Sequence, residues 1–227
     1  MNKETDDLIS EFVAAGGDVQ DWRPVYSIAP TDPAPIVRER TRGDETLRSV
    51  DVASWGLRPG WAKPGGPSPI NARLESVATN GMFRGAFASQ RCIVPMLGYY
   101  EWAKVSDGKQ PYFLRTDADV LAAAGLYSAR KEGDSWALSF TIITREARDA
   151  SGDVHDRMPV FLTEDVRDAW LAPARITDTA EILATLDRSS VAVAATVTGY
   201  PVDRRVNSVQ RVDPLDATLV DPITLAG

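Results

Sequence analysis

The chain of 227 residues contains one cysteine, Cys92, and one histidine, His155. A single cysteine cannot form an internal disulfide, which is typical of a protein from a reducing compartment. The apolar runs, such as 120–126 and 191–197, are far shorter than the roughly 20 residues of a membrane span. The sequence does not open with a basic, apolar and small-residue leader, so we expect no secretory signal. We therefore expect a cytoplasmic protein that does not engage a membrane.

Several familiar catalytic signatures are also missing. The sequence has no zinc-type Cys/His spacing, no Walker A loop, no GxGxxG fingerprint and no GxSxG elbow, so we expect neither a metal nor a cofactor. The 25 basic and 32 acidic residues leave a net charge of −7. This charge argues against bulk, nonspecific binding to nucleic acid. It does not exclude a local basic groove, because such binding depends on the patch.

The predicted elements favour an α+β fold. Helices are predicted over 5–15, 75–88, 164–171 and 176–187. Strands are predicted over 36–40, 47–53, 55–57, 91–100, 112–115, 120–127, 135–144, 191–197 and 218–225. Strands outnumber helices and most connections are short. We therefore expect a single domain over 1–227, with a mainly antiparallel, partly barrelled β-sheet and flanking helices.

Glu101 stands between Tyr100 and Trp102 at the end of an apolar strand. Aromatic neighbours remove water from a carboxylate, so we expect the pKa of Glu101 to rise towards neutral pH, as a general acid–base requires. The alternative is a glutamate that points to solvent, which strand alternation allows equally well.

His155 is a proton-transfer candidate, because the unperturbed pKa of histidine lies close to neutral pH. It shares one side of an extended segment with Arg157, and the two together could hold an anion or a developing oxyanion. Asn71 and Arg73 have the same spacing and offer an amide and a phosphate-binding fork. The alternatives are a histidine that caps a loop, an asparagine that forms a turn, and arginines that are solvated or structurally paired.

Two tryptophans and the lone cysteine complete the candidates. Trp61, in the Pro/Gly-rich loop 59–69, and Trp102 could be stacking platforms for unpaired bases, although tryptophan is more often a core residue. Cys92 precedes apolar residues in a predicted strand, without a histidine nearby in sequence. This context favours a buried, inert thiol over a nucleophile.

Together these residues resemble the SRAP family, the SOS response-associated peptidases, also described as abasic-site processing or shielding proteins. Their order and spacing match the family along almost the whole chain, and we expect one SRAP domain. The Asn-Ala-Arg, Tyr-Glu-Trp and His-Asp-Arg-Met-Pro elements are highly specific in combination. The matching segments are 26–31, 55–57, 71–75, 91–95, 98–102, 125–127, 140–144, 155–159, 201–202 and 206–207.

The resemblance implies a monomer that binds single-stranded DNA and captures the ring-opened aldehyde of an abasic site as a covalent crosslink. In the family the nucleophile is a cysteine directly after the initiator methionine, whose amine and thiol close a thiazolidine on the aldehyde. The family also shows lyase behaviour by β-elimination, and its peptidase name reflects suspected self-processing of the N-terminus. The implied location is the cytoplasm, with nucleoid association during DNA damage.

The resemblance also assigns catalytic roles to three residues. Asn71 would position the N-terminal residue or the sugar. Glu101 would shuttle protons during imine formation and ring closure. His155 would act on the ring-opened deoxyribose hydroxyl and orient it.

The remaining roles concern DNA binding. Arg73 and Arg157 would hold the phosphates that flank the abasic site. Trp61 and Trp102 would pack against bases or sugar, and Thr144 would lie in the same pocket as His155.

One departure from the family pattern is clear: Asn2, not cysteine, follows Met1. We expect a truncated or misassigned start, with Met-Cys-Gly-Arg and the family's N-terminal strand upstream. The alternative is a paralogue that binds DNA, or forms only a reversible imine, without the thiazolidine. Cys92 cannot substitute, because a thiol without an adjacent free amine cannot close that ring.

Two other functional classes remain open. One is a non-catalytic single-stranded DNA-binding module that uses the same groove. The other, weaker, is a hydrolase that uses Glu101 and His155 on peptide bonds, for which the sequence supplies no nucleophile.

Overall fold

The computed structural model describes residues 10–12, 25–63, 65–118, 120–148, 152 and 154–225. The described strands are β1 (Pro33–Arg42), β2 (Glu45–Trp55), β3 (Asn71–Arg73), β4 (Arg91–Met96), β5 (Gly98–Val105), β6 (Gly108–Arg115), β7 (Leu121–Glu132), β8 (Ser135–Glu146), β9 (Arg157–Pro159) and β10 (Thr198–Pro201). The helices are α1 (Arg84–Ser89), α2 (Glu164–Leu171) and α3 (Thr179–Ala194), with 3₁₀ helices at Arg204–Asn207 and Ala217–Val220.

Five strands form a closed ring. They pair in the order β2-β1-β4-β7-β8, and β8 meets β2 again through a short parallel pairing of Ser54 with Ser139 and Trp55 with Phe140. Beyond this closure, β8 continues and takes β3 on one edge and β9 on the other. The ring therefore opens at the end of β8 into a short extension, where β3 and β9 lie on either side of Thr144.

A second, antiparallel sheet has the order β10-β6-β5. Alternation divides the side chains of β5 between its two faces. Tyr99 faces the ring and packs against Phe161, with ring centroids 5.8 Å apart. Tyr100 faces the opposite side and packs on Phe113, at 5.2 Å. Glu101, next along the strand, shares the face of Tyr99 and is thereby directed towards the ring.

The predicted fold class is confirmed: the chain is α+β, with a mainly antiparallel, barrel-like sheet and flanking helices. The predicted helix over 164–171 is α2, with the same bounds. The predicted helix over 5–15 falls mostly outside the described residues, of which 10 and 11 are helical and Phe12 is buried. No helix in the described part of the chain has the length and apolar character of a membrane span.

The single strand predicted over 91–100 is wrong, because the chain bends at Leu97 and the two halves enter different sheets. Gly98 allows this change of sheet. A Cβ atom there would lie 2.4 Å from the carbonyl oxygen of Leu114, so only glycine lets β5 approach β6 this closely. The apolar run continues through the bend, and the pattern of hydrophobic residues therefore concealed it.

Several other predicted elements differ from the structure. Of the strand predicted over 55–57, only Trp55 lies in a strand, and the helix predicted over 176–187 is α3. The helix expected over 75–88 is confined to α1, after turns over 74–79. The strand expected over 191–197 is wrong, because residues 191–194 are the last turn of α3, which buries Ala194. The strand expected over 218–225 is a 3₁₀ helix with one isolated bridge, between Val202 and Pro222. Asp216 caps that 3₁₀ helix by accepting a hydrogen bond from the backbone of Thr218.

Candidate functional site

Glu101 and His155 meet where the second sheet approaches the ring. The Glu101 Oε2 atom lies 3.8 Å from Nδ1 of His155, with side-chain exposures of 18% and 48%. A second carboxylate, Asp156, lies 3.6 Å from the same nitrogen but is 88% exposed. The tertiary structure thus places one sheltered and one solvated carboxylate beside the only imidazole of the chain.

The backbone that follows the imidazole orients it. The Arg157 N–H donates to His155 Nδ1 at 3.2 Å, and the Arg157 carbonyl oxygen lies 3.4 Å from the same nitrogen. The N–H is satisfied when Nδ1 carries no proton, whereas the carbonyl oxygen and the two nearby carboxylates are satisfied when Nδ1 is protonated, so the tautomer decides the roles at this nitrogen.

The Arg157 side chain is engaged within the protein. Its Nη1 donates to Glu75 Oε1 at 2.7 Å and its Nη2 to Glu75 Oε2 at 3.0 Å. Nη2 also donates to the Thr144 carbonyl oxygen at 2.6 Å. The hydrogen bond from Arg157 outweighs the opposing effect of burial, so the pKa of Glu75 lies below its usual value.

Asn71 and Arg73 lie on β3 with exposed side chains, and the buried Ala72 stands between them. Arg73 pairs with Thr144 of β8, and Asn71 pairs with Ile142. The two side chains therefore share one face of β3, about 7 Å apart along the strand. In this register Arg73 lies opposite Thr144, and the backbone carbonyl of Thr144 accepts a hydrogen bond from Arg157.

The two candidate tryptophans lie away from the Glu101–His155 contact. Trp102 alternates with Glu101 and faces the other side of β5, where its Nε1–H donates to Asn207 Oδ1 at 2.7 Å. Trp61 is 68% exposed. The neighbouring Gly60 approaches the Ala129 carbonyl of β7. Ala129 pairs with Leu138 of β8. Leu138 precedes Thr144 by six positions, or about 20 Å along the strand, so the loop that carries Trp61 lies well away from Thr144.

Glu75 and Asn207 contact predicted site residues, although no role was predicted for either. Glu75 closes the bidentate pair with Arg157. Asn207 joins the 3₁₀ helix Arg204–Asn207 to the β5–β6 hairpin, because it binds Trp102 and its Nδ2 also donates to the Lys109 carbonyl at 3.1 Å. The only sequence signal for either residue was its place in a segment that resembles the family.

Two residues of the conspicuous segments are structural. Arg91 is buried and donates to backbone carbonyls of α1 and of the end of α2, including Ala88 at 2.8 Å and Trp170 at 2.8 Å. Cys92 is fully buried, and its burial raises the pKa of the thiol. Within the residues that the structure describes, no group of three or more His, Cys, Asp or Glu side chains could hold a metal ion.

The fold and the three motif segments define one class of protein. The model of the SOS response associated peptidase (SRAP) family matches residues 1–209, and the chain belongs to this family. The fold is also that of a crystal structure of a protein from Bacteroides thetaiotaomicron. The TM-score is 0.79 at 23% identity, with 99% of this chain and 98% of that chain covered. A phage-related protein from Bordetella bronchiseptica has a TM-score of 0.69 at 27% identity, with 89% and 92% covered.

The chain is also similar to curated proteins. It is 32% identical over 199 residues to the abasic site processing protein YedK of Escherichia coli, covering 87% of this chain and 84% of that protein. It is 34% identical over 174 residues to the abasic site processing protein YoaM of Bacillus subtilis, covering 74% and 75%. The abasic site processing protein HMCES of Gallus gallus is 28% identical over 225 residues, covering 85% of this chain and 65% of that protein.

Proposed function

We propose that this chain binds single-stranded DNA and processes abasic sites, acting as one SRAP domain. The observation that carries the proposal is the contact of the sheltered Glu101 carboxylate with His155. Asn71 and Arg73 lie on β3, which pairs with the same strand, β8, as β9 does. The names of the relatives, abasic site processing proteins, support the same substrate. A carboxyl group and an imidazole at one point supply the proton donor and acceptor that aldehyde chemistry needs.

The proposed reaction is capture of the ring-opened sugar. An amine adds to the aldehyde carbon to give a carbinolamine, which loses water to form an imine. Glu101 in its acid form would protonate the leaving hydroxyl, and its carboxylate would accept the proton lost by the amine nitrogen. A thiol on the same residue would then add to the imine carbon, and its proton would pass to the ring nitrogen. The product is a thiazolidine that links protein and DNA.

The other predicted residues take supporting roles in this proposal. His155 would bind the sugar hydroxyl that ring opening releases, and Asn71 would orient the nucleophilic residue or the sugar. Arg73, with an exposed side chain, would contact a flanking phosphate. Trp61 is exposed and could stack with a base further along the strand. A lyase reaction at the same site would remove a proton from the carbon next to the imine and expel the 3′ phosphate.

The thiazolidine step needs a cysteine with a free amine, and Cys92 is unsuitable because it is buried within the chain. The test therefore compares three proteins: the chain itself, a version extended upstream to begin Met-Cys-Gly-Arg, and a matched version that begins Met-Ser-Gly-Arg. Each is mixed with single-stranded DNA carrying one abasic site, denatured and run on a gel.

A salt-stable adduct from the cysteine version alone would support the proposal. No adduct from that version, with Asn71, Glu101 and His155 intact, would contradict covalent capture. DNA affinity that falls steeply with salt, again without an adduct, would then favour a non-catalytic DNA-binding module. Peptide cleavage that is lost on Glu101→Gln would favour a hydrolase.

A further inference from the structure

A polar cleft lies at the closure of the ring, beside the short parallel pairing of β2 with β8. Its volume is about 180 Å³, below the roughly 300–1,000 Å³ of pockets for drug-sized ligands, so it suits a small group. A second hollow adjoins it and shares two arginines and one glutamate with it. The basic and hydroxyl side chains that line the two include Ser54, Arg58, Lys63, Ser68, Arg130 and Ser139.

The two arginines of the cleft have no carboxylate partner. Within the described part of the chain, neither Arg58 nor Arg130 forms an ion pair, and Glu132, which also lines the cleft, pairs with neither. By contrast, Arg204 pairs with a carboxylate at 2.7 Å. Lys63 adds a third basic side chain to the lining of the second hollow. Guanidinium groups that converge without a counter-charge give the cleft a positive potential, which attracts an anion.

The serine hydroxyls of the cleft supply further hydrogen-bond donors. Ser139 Oγ accepts a hydrogen bond from the Arg58 backbone N–H at 2.9 Å, and Ser68 Oγ accepts one from Arg58 Nε at 3.3 Å. A hydroxyl that accepts a hydrogen bond still has its own O–H to donate. Guanidinium and hydroxyl donors together match an anion that offers several acceptor oxygens, as a phosphate does.

Thr31, which also lines the cleft, has a strained backbone. Its φ of 82° is the only positive value at a non-glycine position among the described residues. Thr31 is the third residue of a turn in which the Asp32 N–H donates to the Ala29 carbonyl at 3.0 Å, and a positive φ at that position favours glycine. Strain of this kind at a β-branched residue is concentrated at functional sites and ligand clamps. The strain therefore supports a functional role for the cleft independently of its charge.

The position of the cleft suits a strand of DNA that leaves the candidate site. The two residues that follow the exposed Trp61 line the second hollow. Ser139 precedes Thr144 by five positions on β8, or about 17 Å. A stacked DNA strand rises about 3.4 Å per nucleotide, so this distance corresponds to at most about five nucleotides. A strand that runs from the candidate site past Trp61 is thus long enough to reach the cleft within a few nucleotides.

We propose that the cleft is a second phosphate subsite, in which Arg58 and Arg130 hold a backbone phosphate of single-stranded DNA. The phosphate lies within about five nucleotides of the abasic site. This inference rests on the proposed function only in that the ligand is DNA. It does not depend on covalent capture, because it concerns the noncovalent binding of the strand.

The first test is the salt dependence of binding to an intact single-stranded oligonucleotide. Removing both charges, with Arg58→Gln and Arg130→Gln, is expected to reduce the slope of log affinity against log salt by about 0.7, the value for one phosphate contact. The matched control is Arg40→Gln with Arg42→Gln, which removes the same charge from exposed side chains of β1. Arg42 lies at the β1–β2 hairpin, about 30 Å along β2 from Ser54. The control should leave the slope unchanged.

Three outcomes of this test separate the subsite from the proposed function. An unchanged slope in the folded double variant, with the wild type binding DNA, overturns the subsite alone. An equal change in the control shows a general effect of charge and also overturns it. A wild type that does not bind single-stranded DNA contradicts the proposed function, and the subsite with it. Should the double variant not fold, Arg58→Gln, which changes an exposed side chain, serves in its place and should reduce the slope in the same direction.

The length of the DNA tests the position of the subsite. Oligonucleotides that carry one abasic site are extended on one flank at a time, and their affinity is measured at fixed salt. The wild type should gain affinity in a step on one flank, within about five nucleotides of the abasic site. The variant with Arg58→Gln and Arg130→Gln should lack that step. A step that persists in this variant contradicts the subsite.

Inorganic phosphate distinguishes a DNA phosphate from a free one. The urea midpoint of unfolding is measured with increasing phosphate at constant ionic strength, for the wild type and for the double variant. No difference between their responses is expected if the cleft serves the DNA backbone. A saturable rise in the wild type alone, together with equal salt slopes for DNA, would assign the cleft to free phosphate and overturn its assignment to DNA.

Discussion

The Glu101 carboxylate approaches the His155 imidazole to 3.8 Å from a sheltered position, whereas Asp156 approaches the same Nδ1 atom to 3.6 Å from solvent. Distance alone would rank the two carboxylates as equals. Exposure separates them, because water and salt screen a charge that is 88% exposed far more than one that is 18% exposed. We therefore propose Glu101, and not Asp156, as the proton carrier of the site.

The first prediction follows from this contrast. Glu101→Gln should slow abasic-site processing by the cysteine-bearing version about 10²- to 10⁴-fold, the usual contribution of a general acid–base. Asp156→Asn, which removes the solvated carboxylate, should change the rate less than about threefold. Single-turnover gel assays measure both rates, and binding of intact DNA checks that each variant is otherwise sound. Equal losses in the two variants would contradict the assignment.

Asn207 is predicted to hold Trp102 in place. Asn207→Leu removes the 2.7 Å hydrogen bond to the indole and should lower the free energy of unfolding by about 1 kcal/mol. If Trp102 contacts DNA, affinity should fall about threefold to tenfold, since stacking depends on a fixed ring. Trp102→Phe, which lacks the indole N–H, supplies the second arm of a double-mutant cycle. Strictly additive effects would show that the pair is not coupled.

The buried pair of Arg38 and Asp51 predicts acid sensitivity. Burial alone would raise the pKa of Asp51, but hydrogen bonds from Arg38 and Ser49 outweigh it and keep that pKa below its usual value. The carboxylate therefore stabilises the fold above the unfolded-state pKa of about 3.9, and this stability is lost as the pH falls through the lower folded-state pKa. Urea unfolding between about pH 3 and pH 7 measures the effect.

Asp51→Asn should flatten that acid dependence. It should also lower the free energy of unfolding by about 3–5 kcal/mol near neutral pH, because it leaves Arg38 buried without a counter-charge. Removing both charges, with Arg38→Met and Asp51→Leu, should lower the free energy of unfolding less than the single change does. A single variant as stable as the wild type would rule out the pair as a source of acid sensitivity.

Thr141 is predicted to be replaceable with a gain in stability. It is fully buried, and its hydroxyl has no hydrogen-bond partner among the described residues. Thr141→Val removes an unsatisfied polar group at nearly constant volume and should raise the free energy of unfolding by about 1 kcal/mol. Thr116, also buried, lies 3.0 Å from the Thr196 hydroxyl, so Thr116→Val should destabilise instead. The two variants are distinguished by their denaturation midpoints, provided that the slope of unfolding free energy against denaturant concentration stays constant.

Cys92 is predicted to be chemically silent. Its thiol is fully buried and its pKa is raised by burial, so little thiolate forms and reagents cannot reach it. The native chain should not react with a chromogenic disulfide reagent until it is unfolded, when one thiol per chain should titrate. Cys92→Ala in the cysteine-bearing version should leave adduct formation unchanged. Loss of the adduct in that variant would implicate the internal thiol.

Much of the fold was predictable because it depends on local pattern. Alternation and β-branched residues predicted most strands, and helix 164–171 was predicted with its observed bounds. The failures have local causes too. The apolar run over 91–100 continues through the bend at Leu97, and the valines near 191 suit a strand although they lie in α3. In both places tertiary packing overrode an ambiguous local preference.

The sequence by itself determined the family and the α+β class and nominated candidate residues for the site, because motif order and hydrophobic periodicity are properties of the linear chain. Only the tertiary structure decided what those residues touch. It paired Arg157 with Glu75 across 82 positions and Trp102 with Asn207 across 105. It also turned Trp102 away from Glu101. Such contacts depend on strand register, bends and strand order, which bring together residues that are distant in sequence. The local spacing of residues therefore does not predict them.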